Sequence, residues 1–292
     1  MKKIKYMNEE LNSFIYKFIS SLKLLTVIII QPSIMKVSFK SKVLVLALIA
    51  VAFVNYAELK PRKISQIANN NSHMDVGSED SIPGTIKDIE GNVYKTVVIG
   101  KQVWMQENLR TRTYRNGKPI AKKLSNAQWK ANKTGACAVY NNDSIKEQAF
   151  GQLYNWYAVA NPAGLCPVGW HVAKDTDWNK LVAYLDSYAD TTELKRIQSE
   201  IAGGAMKEVG ITHWASPNTG ATGTANFLGF SGGNKSPDGK CNDVGAYGYW
   251  WTATPSSTNE AYGRLLSYFN SNIDRFKTSK NVGFSVRCVK NK

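Results

Sequence analysis

The chain has 292 residues, in which 37 Lys and Arg outnumber 22 Asp and Glu and give a formal net charge of +15. All eight tryptophans and all four cysteines lie beyond residue 83, in a stretch that is long enough to bury one sizeable core. A basic chain can attract nucleic acid, but these charges are scattered along the sequence, which favours a solvated surface and no nucleic-acid partner. Neither an HExxH metalloprotease signature nor a P-loop occurs.

The first 57 residues are predicted to be a leader with a signal peptide. Residues 43–54 form an unbroken apolar run of twelve, preceded by Lys36, Lys40 and Lys42. A membrane-spanning helix needs about 20 apolar residues, so a signal-peptide core fits better. We hypothesise that translation starts at Met35. The chain is then expected to be secreted or displayed at the cell surface, and an uncleaved anchor at residues 43–57 would be its only contact with a membrane.

Residues 58–83 are polar and are predicted to be a linker, followed by one domain at residues 84–292. Alternating residues at 85–89 and 93–99, joined by Gly91-Asn92, predict a hairpin, and a third short strand is expected at 103–105. Apolar residues at helical spacing predict a helix at 175–188, with Asp175 or Thr176 as its cap, and a second helix at 191–201. Long loops are expected from Gly203 onward, with closing strands at 263–269 and 282–289.

The four cysteines are Cys137, Cys166, Cys241 and Cys288, an even number that lies wholly beyond the leader. In an oxidising compartment this predicts two disulfides. Three connectivities are open, and the spacing of the cysteines does not choose between them.

The domain resembles the Fibrobacter succinogenes major paralogous domain, a family of exported bacterial proteins. Seven motifs in the same order carry the resemblance, and together they extend across essentially residues 84–290. They are DIEGNVYKTV (88–97), IGKQVWMQENL (99–109), YNND (140–143), GQLYNWYAV (151–159), residues 166–178 around CPVGWH, GYWWTAT (248–254) and GFSVRC (283–288).

The resemblance implies an α+β, C-type-lectin-like fold, near the sulfatase-modifying-factor group, in which the first and last strands lie side by side. It also implies a disulfide between Cys166 and Cys288, which would tie the first helix to the last strand. Cys137 and Cys241 are then left as a second pair, although family members usually lack a cysteine at the latter position. The family's molecular function is not established, so the resemblance implies none.

A non-catalytic protein is predicted. An oxidase of the sulfatase-modifying type would need a reactive cysteine pair in an open cleft, whereas each cysteine here has a structural role available. His171, at a turn between Trp170 and Val172, is expected to be a packed or hydrogen-bonded structural residue. His213 is slightly better placed for a site. Trp104, Trp156, Trp170 and Trp178 are expected in the core.

The loops between about residues 216 and 247 are predicted to form the binding face, with an extracellular glycan as ligand or, next, a surface protein. A structural or adhesive role without a small ligand is the alternative. Tyr249 and Trp251 should lie on one face of a strand and Trp250 on the other. Core packing is favoured for Trp250 and Trp251, and the two roles are balanced for Tyr247 and Tyr249. The candidate ligand-binding residues are Asn234, Asp238, Asn242, Asp243, Tyr247, Tyr249 and Trp250.

No cofactor is expected, and calcium is the alternative. The Glu-Pro-Asn and Trp-Asn-Asp triplets of calcium-dependent lectins do not occur, but Asn242-Asp243 gives half of such a set. Asn218, Asn234 and Asp238 are further oxygen donors. Calcium takes six to eight oxygens, so this loop would have to fold closely around the ion. The ordinary interpretation is that these residues form turns.

Overall fold

The computed structural model describes residues 84–191 and 196–292, and these form a mixed α+β domain. The predicted leader, the start at Met35 and the linker lie outside the described residues. None of the helices in the described part is long and apolar enough to cross a membrane.

Two larger sheets, two short ribbons and several short helices make up the described domain. The strands are β1 Thr85–Lys87, β2 Val93–Ile99, β3 Gln102–Met105, β4 Cys137–Ala138, β5 Leu153–Tyr154, β6 Trp170–Val172, β7 Ile197–Ser199, β8 Asn234–Lys235, β9 Cys241–Asn242, β10 Tyr247–Pro255, β11 Glu260–Ser267, β12 Ile273–Ser279 and β13 Cys288–Lys290. The α-helices are α1 Asn126–Ala131, α2 Ser144–Phe150, α3 Trp156–Val159, α4 Asp175–Leu185 and α5 Ala202–Met206, and Tyr140–Asn142 forms a 3-10 turn.

The first sheet joins the two ends of the domain in the order β1-β2-β3-β13-β6. The predicted hairpin is confirmed, and its turn is fixed by Asp88 Oδ1, which accepts the backbone N–H groups of Glu90 and Asn92. The last strand, β13, pairs with β3 through Val289 and Trp104 and with β6 on its other side. The implied pairing of the first and last strands is therefore wrong in detail, because β3, and not β1, lies beside β13.

The second sheet has the order β10-β11-β12-β7, and its central hairpin pairs residue for residue from Glu260↔Ser279 to Leu265↔Asp274. The predicted strand at 263–269 corresponds to β11, which begins and ends earlier. In the predicted strand at 282–289 only β13 forms a ladder. The preceding residues Gly283, Phe284 and Ser285 make isolated bridges to Lys235, Tyr154 and Trp250, so this segment connects the two sheets and the ribbons.

The predicted second helix at 191–201 is wrong in its described part, where Ile197–Ser199 is strand β7. Ser199 pairs with Ile273 of β12, and its hydroxyl donates to Asp186 Oδ2 at 2.7 Å. Gln198 is also buried and donates to Asn179 Oδ1 at 3.0 Å. Hydrogen bonds to distant residues therefore override the weak local helical pattern.

Strand β10 divides the core into two clusters by simple alternation. Trp251 belongs to one cluster, and Tyr249 packs against it. Trp250 belongs to the other cluster, where it meets Trp178 and Phe227. The predicted facing of these residues is confirmed, as is the burial of the four tryptophans expected in the core.

The helix predicted at 175–188 is observed as α4, but its cap differs from the prediction. The helix begins at Asp175, so this residue lies in the first turn. Asp177 Oδ2 instead accepts the backbone N–H of Lys174 at 2.9 Å. Asp175 is buried and points at two arginines: Arg264 Nη1 donates to its Oδ1 at 2.8 Å, and Arg275 Nη2 pairs with its Oδ2.

The disulfide between Cys166 and Cys288 is confirmed, and it links the segment before α4 to the last strand. The second pairing is wrong, since Cys137 and Cys241 are free thiols in this structure. Cys137 is fully buried in β4, and this burial raises its thiol pKa to about 12. Cys241 lies in β9, where its Sγ accepts the N–H of Asn141 at 3.4 Å. The two cysteines therefore lie in separate environments and are not bonded to each other.

Candidate binding site

The β8–β9 ribbon brings three of the predicted site residues together. Asn234 Nδ2 donates to Asp243 Oδ2 at 2.7 Å, and the Tyr249 hydroxyl donates to the same oxygen at 2.9 Å. Asp243 follows β9 directly and has a positive φ of 70°, which is uncommon for a residue other than glycine. Burial, together with the bond to Asp243, raises the pKa of Tyr249 above its usual value. This carboxylate oxygen is thus already occupied by two donors within the protein.

Asp238 lies in the turn that joins β8 to β9, and Asn242 is the last residue of β9. The Ser236 hydroxyl donates to Asp238 Oδ1 at 2.6 Å, and Asn242 Nδ2 donates to Ser236 Oγ at 3.1 Å. The bond from Ser236, with help from the Lys240 backbone, lowers the pKa of Asp238. Both side chains are exposed, and their hydrogen bonds are those of an ordinary polar turn.

No cluster of three or more His, Cys, Asp or Glu suited to a metal occurs in the described part of the chain. Asn218, a predicted oxygen donor, is buried, and its Nδ2 donates to the carbonyl groups of Glu208 and Gly210. Calcium binding stays a prediction.

Trp250 cannot contact a ligand, and its place among the candidate site residues is wrong. Its side chain is fully buried, and its Nε1 donates to Asn108 Oδ1 at 2.8 Å. The core role favoured for it is confirmed. Tyr247 and Tyr249 are both half-buried, with ring centroids 5.9 Å apart. Tyr249 stacks on Phe284 with centroids 4.9 Å apart, which leaves Tyr247 as the ring nearer to solvent.

Tyr247 lies at the rim of a cleft of about 250 Å³ on the second sheet. Phe269, which is 50% exposed, also lines this cleft and packs edge to face on Tyr247, with ring centroids 6.0 Å apart. We call this the aromatic cleft. It is lined by Arg196, Ile197, Tyr247, Leu265, Ser267, Phe269, Asn270, Asn272 and Asp274.

Several polar side chains also line the aromatic cleft. Arg196 Nε donates to Asp274 Oδ2 at 3.1 Å, and burial raises the pKa of Asp274. Asn270 Oδ1 accepts from the Ser267 hydroxyl at 2.8 Å and from the Asn272 backbone at 3.0 Å. Two aromatic rings beside amide, guanidinium and carboxylate groups can stack on an apolar ring face while hydrogen-bonding its polar edge.

The buried Lys207 forms hydrogen bonds to residues that line the aromatic cleft. Lys207 Nζ donates to the carbonyl groups of Thr219, Ser267 and Asn270 at 2.8, 3.0 and 2.8 Å. Its ammonium also lies 5.5 Å from the centre of the Trp214 ring. Burial lowers the pKa of Lys207 to about 8. The turn at residues 267–270 is therefore fixed by contacts to a distant part of the chain.

The histidines have structural partners. His171 bonds to Asp177 Oδ2 at 2.9 Å and to Asn291 Oδ1 at 2.7 Å, as the hydrogen-bonded role predicted. His213 bonds to Glu208 Oε2 at 2.8 Å, and its ring centre lies 4.4 Å from that of Phe230.

One sequence feature resembles a nucleophile elbow but lacks its geometry. Gly229-Phe230-Ser231-Gly232-Gly233 has the GxSxG spacing, which in hydrolases places the serine on an exposed strand-to-helix turn. Here Ser231 is fully buried, its hydroxyl donates to the carbonyl of His213, and strand β8 follows instead of a helix.

Sequence reasoning found Tyr247 but missed the other walls of the aromatic cleft. Phe269, Asn270 and Asn272 follow strand β11 directly, and an aromatic residue within SYFNSN between two strands is the only local signal. Arg196 and Asp274 join them through the pairing of β7 with β12.

The fold and the site define an α+β domain with long loops, a disulfide between the segment before α4 and the last strand, and an open aromatic cleft. The sequence at residues 97–290 matches the Fibrobacter succinogenes major domain, and the chain belongs to that family, as its motifs predicted. No curated protein and no solved structure gives a significant match.

Proposed function

We propose that this protein is a non-catalytic binding domain that is exported to the cell surface or the medium and that holds a glycan in the aromatic cleft. The observation that carries the proposal is the pair Tyr247 and Phe269 at the rim of the cleft. A half-exposed aromatic ring beside unburied amide groups is the arrangement by which a protein stacks on a sugar and bonds its hydroxyls.

A C-type-lectin-like fold is the finer part of the proposal. Three features support it. In the first sheet, β13 lies between β3 and β6, and a disulfide joins the segment before α4 to β13. Long loops also separate α5 from β10. These loops and the β10–β12 hairpins then present the ligand face.

Export is supported by the apolar run at residues 43–54 and by the disulfide, since disulfides persist in oxidising compartments. N-terminal sequencing of the secreted protein tests both the leader and its start. A mature chain that retains residues before Met35 would contradict the proposed start.

The absence of catalysis is tested by thiol titration. An oxidase of the sulfatase-modifying type needs a reactive cysteine pair, whereas Cys137 is buried with a raised pKa and Cys166 is held in a disulfide. We expect the half-buried Cys241 to react under native conditions and Cys137 to react only after unfolding. Two rapidly reacting thiols with consumption of oxygen would instead favour the oxidase.

Glycan binding is tested with a glycan array at physiological calcium, with and without chelator, followed by titration of any glycan that binds. Phe269→Ala is expected to weaken binding about fivefold to tenfold, because one stacking surface is lost. Tyr188→Ala is the matched control, since Tyr188 is 95% exposed and does not line the cleft. The control should bind like the natural protein.

Failure to bind any glycan would favour the alternative of a structural or adhesive surface protein. Equal losses in the two variants would place the glycan elsewhere on the molecule. Loss of binding with chelator would add calcium to the site.

A further inference from the structure

The Lys and Arg residues of the domain are scattered along the sequence, but one segment lacks acidic residues and supplies most of the net positive charge. Residues 84–292 contain 26 basic and 16 acidic residues, a net charge of +10. Residues 108–142 alone carry eight Lys and Arg and no Asp or Glu. We call these residues the basic segment. Most of the net charge of the domain therefore comes from about one sixth of its length.

The fold gathers three of these basic side chains around a second cleft, of about 300 Å³. Arg112, Lys122 and Lys123 line this basic cleft together with Ser144 and Glu147 of helix α2. The basic cleft is separate from the aromatic cleft, since the two share no lining residue.

The carboxylate within the basic cleft is already engaged. Glu147 Oε1 accepts from Gln152 Nε2 at 2.6 Å and lies 3.7 Å from Arg112 Nη1. Arg112 lies at a similar distance, 3.6 Å, from Glu90, and its side chain stays 44% exposed. The lining thus holds three cationic side chains and one carboxylate, an excess of two positive charges, and Glu90 outside the lining also lies near Arg112.

The two lysines have no counter-charge of their own. Among residues 84–191 and 196–292, no carboxylate oxygen lies within 4.0 Å of Lys122 Nζ or Lys123 Nζ. Both side chains are exposed, so their ammonium groups can turn toward a ligand at little cost. Asn142 also lines the cleft and adds a neutral amide group.

We propose that the basic cleft binds an oxyanion, a carboxylate or a sulfate, carried by an acidic polysaccharide. The site is distinct from the aromatic cleft, and the proposal shares with the proposed function only the glycan nature of the ligand. No aromatic ring lines the described walls of the basic cleft, so it offers no stacking surface for a nucleic-acid base. Charge pairing and hydrogen bonds from Lys122, Lys123 and Arg112 carry the recognition.

The test compares two double variants of the full chain that remove the same charge. Lys122→Gln with Lys123→Gln removes charge from the basic cleft. Lys118→Gln with Lys130→Gln removes two exposed charges of the same basic segment that do not line it. Binding is titrated at low and at physiological salt with dextran sulfate, polygalacturonate and neutral dextran.

The natural protein is expected to bind at least one acidic polymer and not dextran. The cleft variant should lose affinity by about tenfold or more, because two charge-assisted hydrogen bonds are lost, and the control by less than about twofold, as for distant exposed charges screened by salt. Binding of dextran sulfate alone assigns a sulfate, and binding of polygalacturonate alone assigns a carboxylate.

Equal losses in the two double variants would overturn the proposal, since attraction would then be diffuse. Failure of both acidic polymers to bind, or stronger competition by duplex DNA, would overturn it as well. Phe269→Ala separates the two proposals, since it should leave binding of the acidic polymer unchanged. A chain that binds acidic polymer through the basic cleft but no array glycan through Phe269 would refute only the proposed function.

Discussion

Removing the charge of Asp175 is expected to destabilise this domain strongly, because its carboxylate pairs with two arginines, Arg264 and Arg275. Its Oδ1 accepts from Arg264 Nη1 at 2.8 Å and from Arg275 Nε at 3.1 Å, and its Oδ2 pairs with Arg275 Nη2. The Arg264 side chain is fully buried, and that of Arg275 is 11% exposed. These contacts join helix α4 to strands β11 and β12.

The substitution Asp175→Asn keeps the size of the side chain and one oxygen acceptor, but it removes the charge. Arg264 then stays buried without the negative charge of Asp175, and its other side-chain acceptor, Asn179 Oδ1 at 2.8 Å, is a neutral amide. Burial already lowers the pKa of Arg264 to about 10, and Asp175 opposes that effect. Breaking a buried pair by removing one partner typically costs about 3–5 kcal/mol, because the other charge is left uncompensated. We expect the free energy of unfolding to fall by about 3 kcal/mol or more.

The assay is urea unfolding at neutral pH, followed by tryptophan fluorescence. Asp274→Asn is the matched control, since Asp274 pairs with Arg196, whose side chain is 78% exposed and can turn to water. That variant should lose less than about 1 kcal/mol. A loss below about 1 kcal/mol for Asp175→Asn, or equal losses in the two variants, would show that the buried arginines are compensated in another way.

Three further predictions concern other contacts of the domain. Replacing Cys166 and Cys288 together by Ala should lower the free energy of unfolding by about 5 kcal/mol, the chain-entropy value for a sequence separation of 122 residues; unchanged urea midpoints with and without reductant would contradict this. The bond to Asp177 raises the pKa of His171 in the folded protein. The protonated histidine should therefore stabilise the fold fully below its unfolded-state pKa of about 6.5, and this contribution should be lost as pH rises through the folded-state pKa. His171→Asn should flatten that part of the curve of stability against pH, and a slope identical to that of the natural protein would refute the assignment. Lys207→Met leaves three carbonyl groups without their donor and should cost about 2–4 kcal/mol in urea unfolding; a neutral effect would show that water replaces the ammonium.

Local patterns in the sequence predicted the elements whose residues interact with near neighbours. Trp178, Leu181 and Val182 recur at helical spacing, and all three are buried on α4. Alternation placed Trp250 and Trp251 on opposite faces of β10, as observed. These features could be predicted because the side-chain period of a helix or a strand is visible within a few consecutive residues.

The resemblance to a family supplied what local pattern could not, namely the partner of Cys166. The resemblance does not give the state of the other two cysteines. Cys137 and Cys241 share no such family pattern, and the structure leaves each in its own environment, one in the core and one beside Asn141.

The sequence by itself determined the family, the α+β composition, the first hairpin and helix α4. Only the tertiary structure decided that residues 197–199 form a strand, because their hydrogen bonds come from β12. It also decided that Arg264 and Arg287 are buried: Arg287 donates to backbone carbonyl groups of Met105, Phe227 and Leu228, which no sequence spacing reveals. The aromatic cleft has the same origin, since its lining residues come from β7, β10, β11, β12 and the turn after β11, which the pairing of these strands brings together.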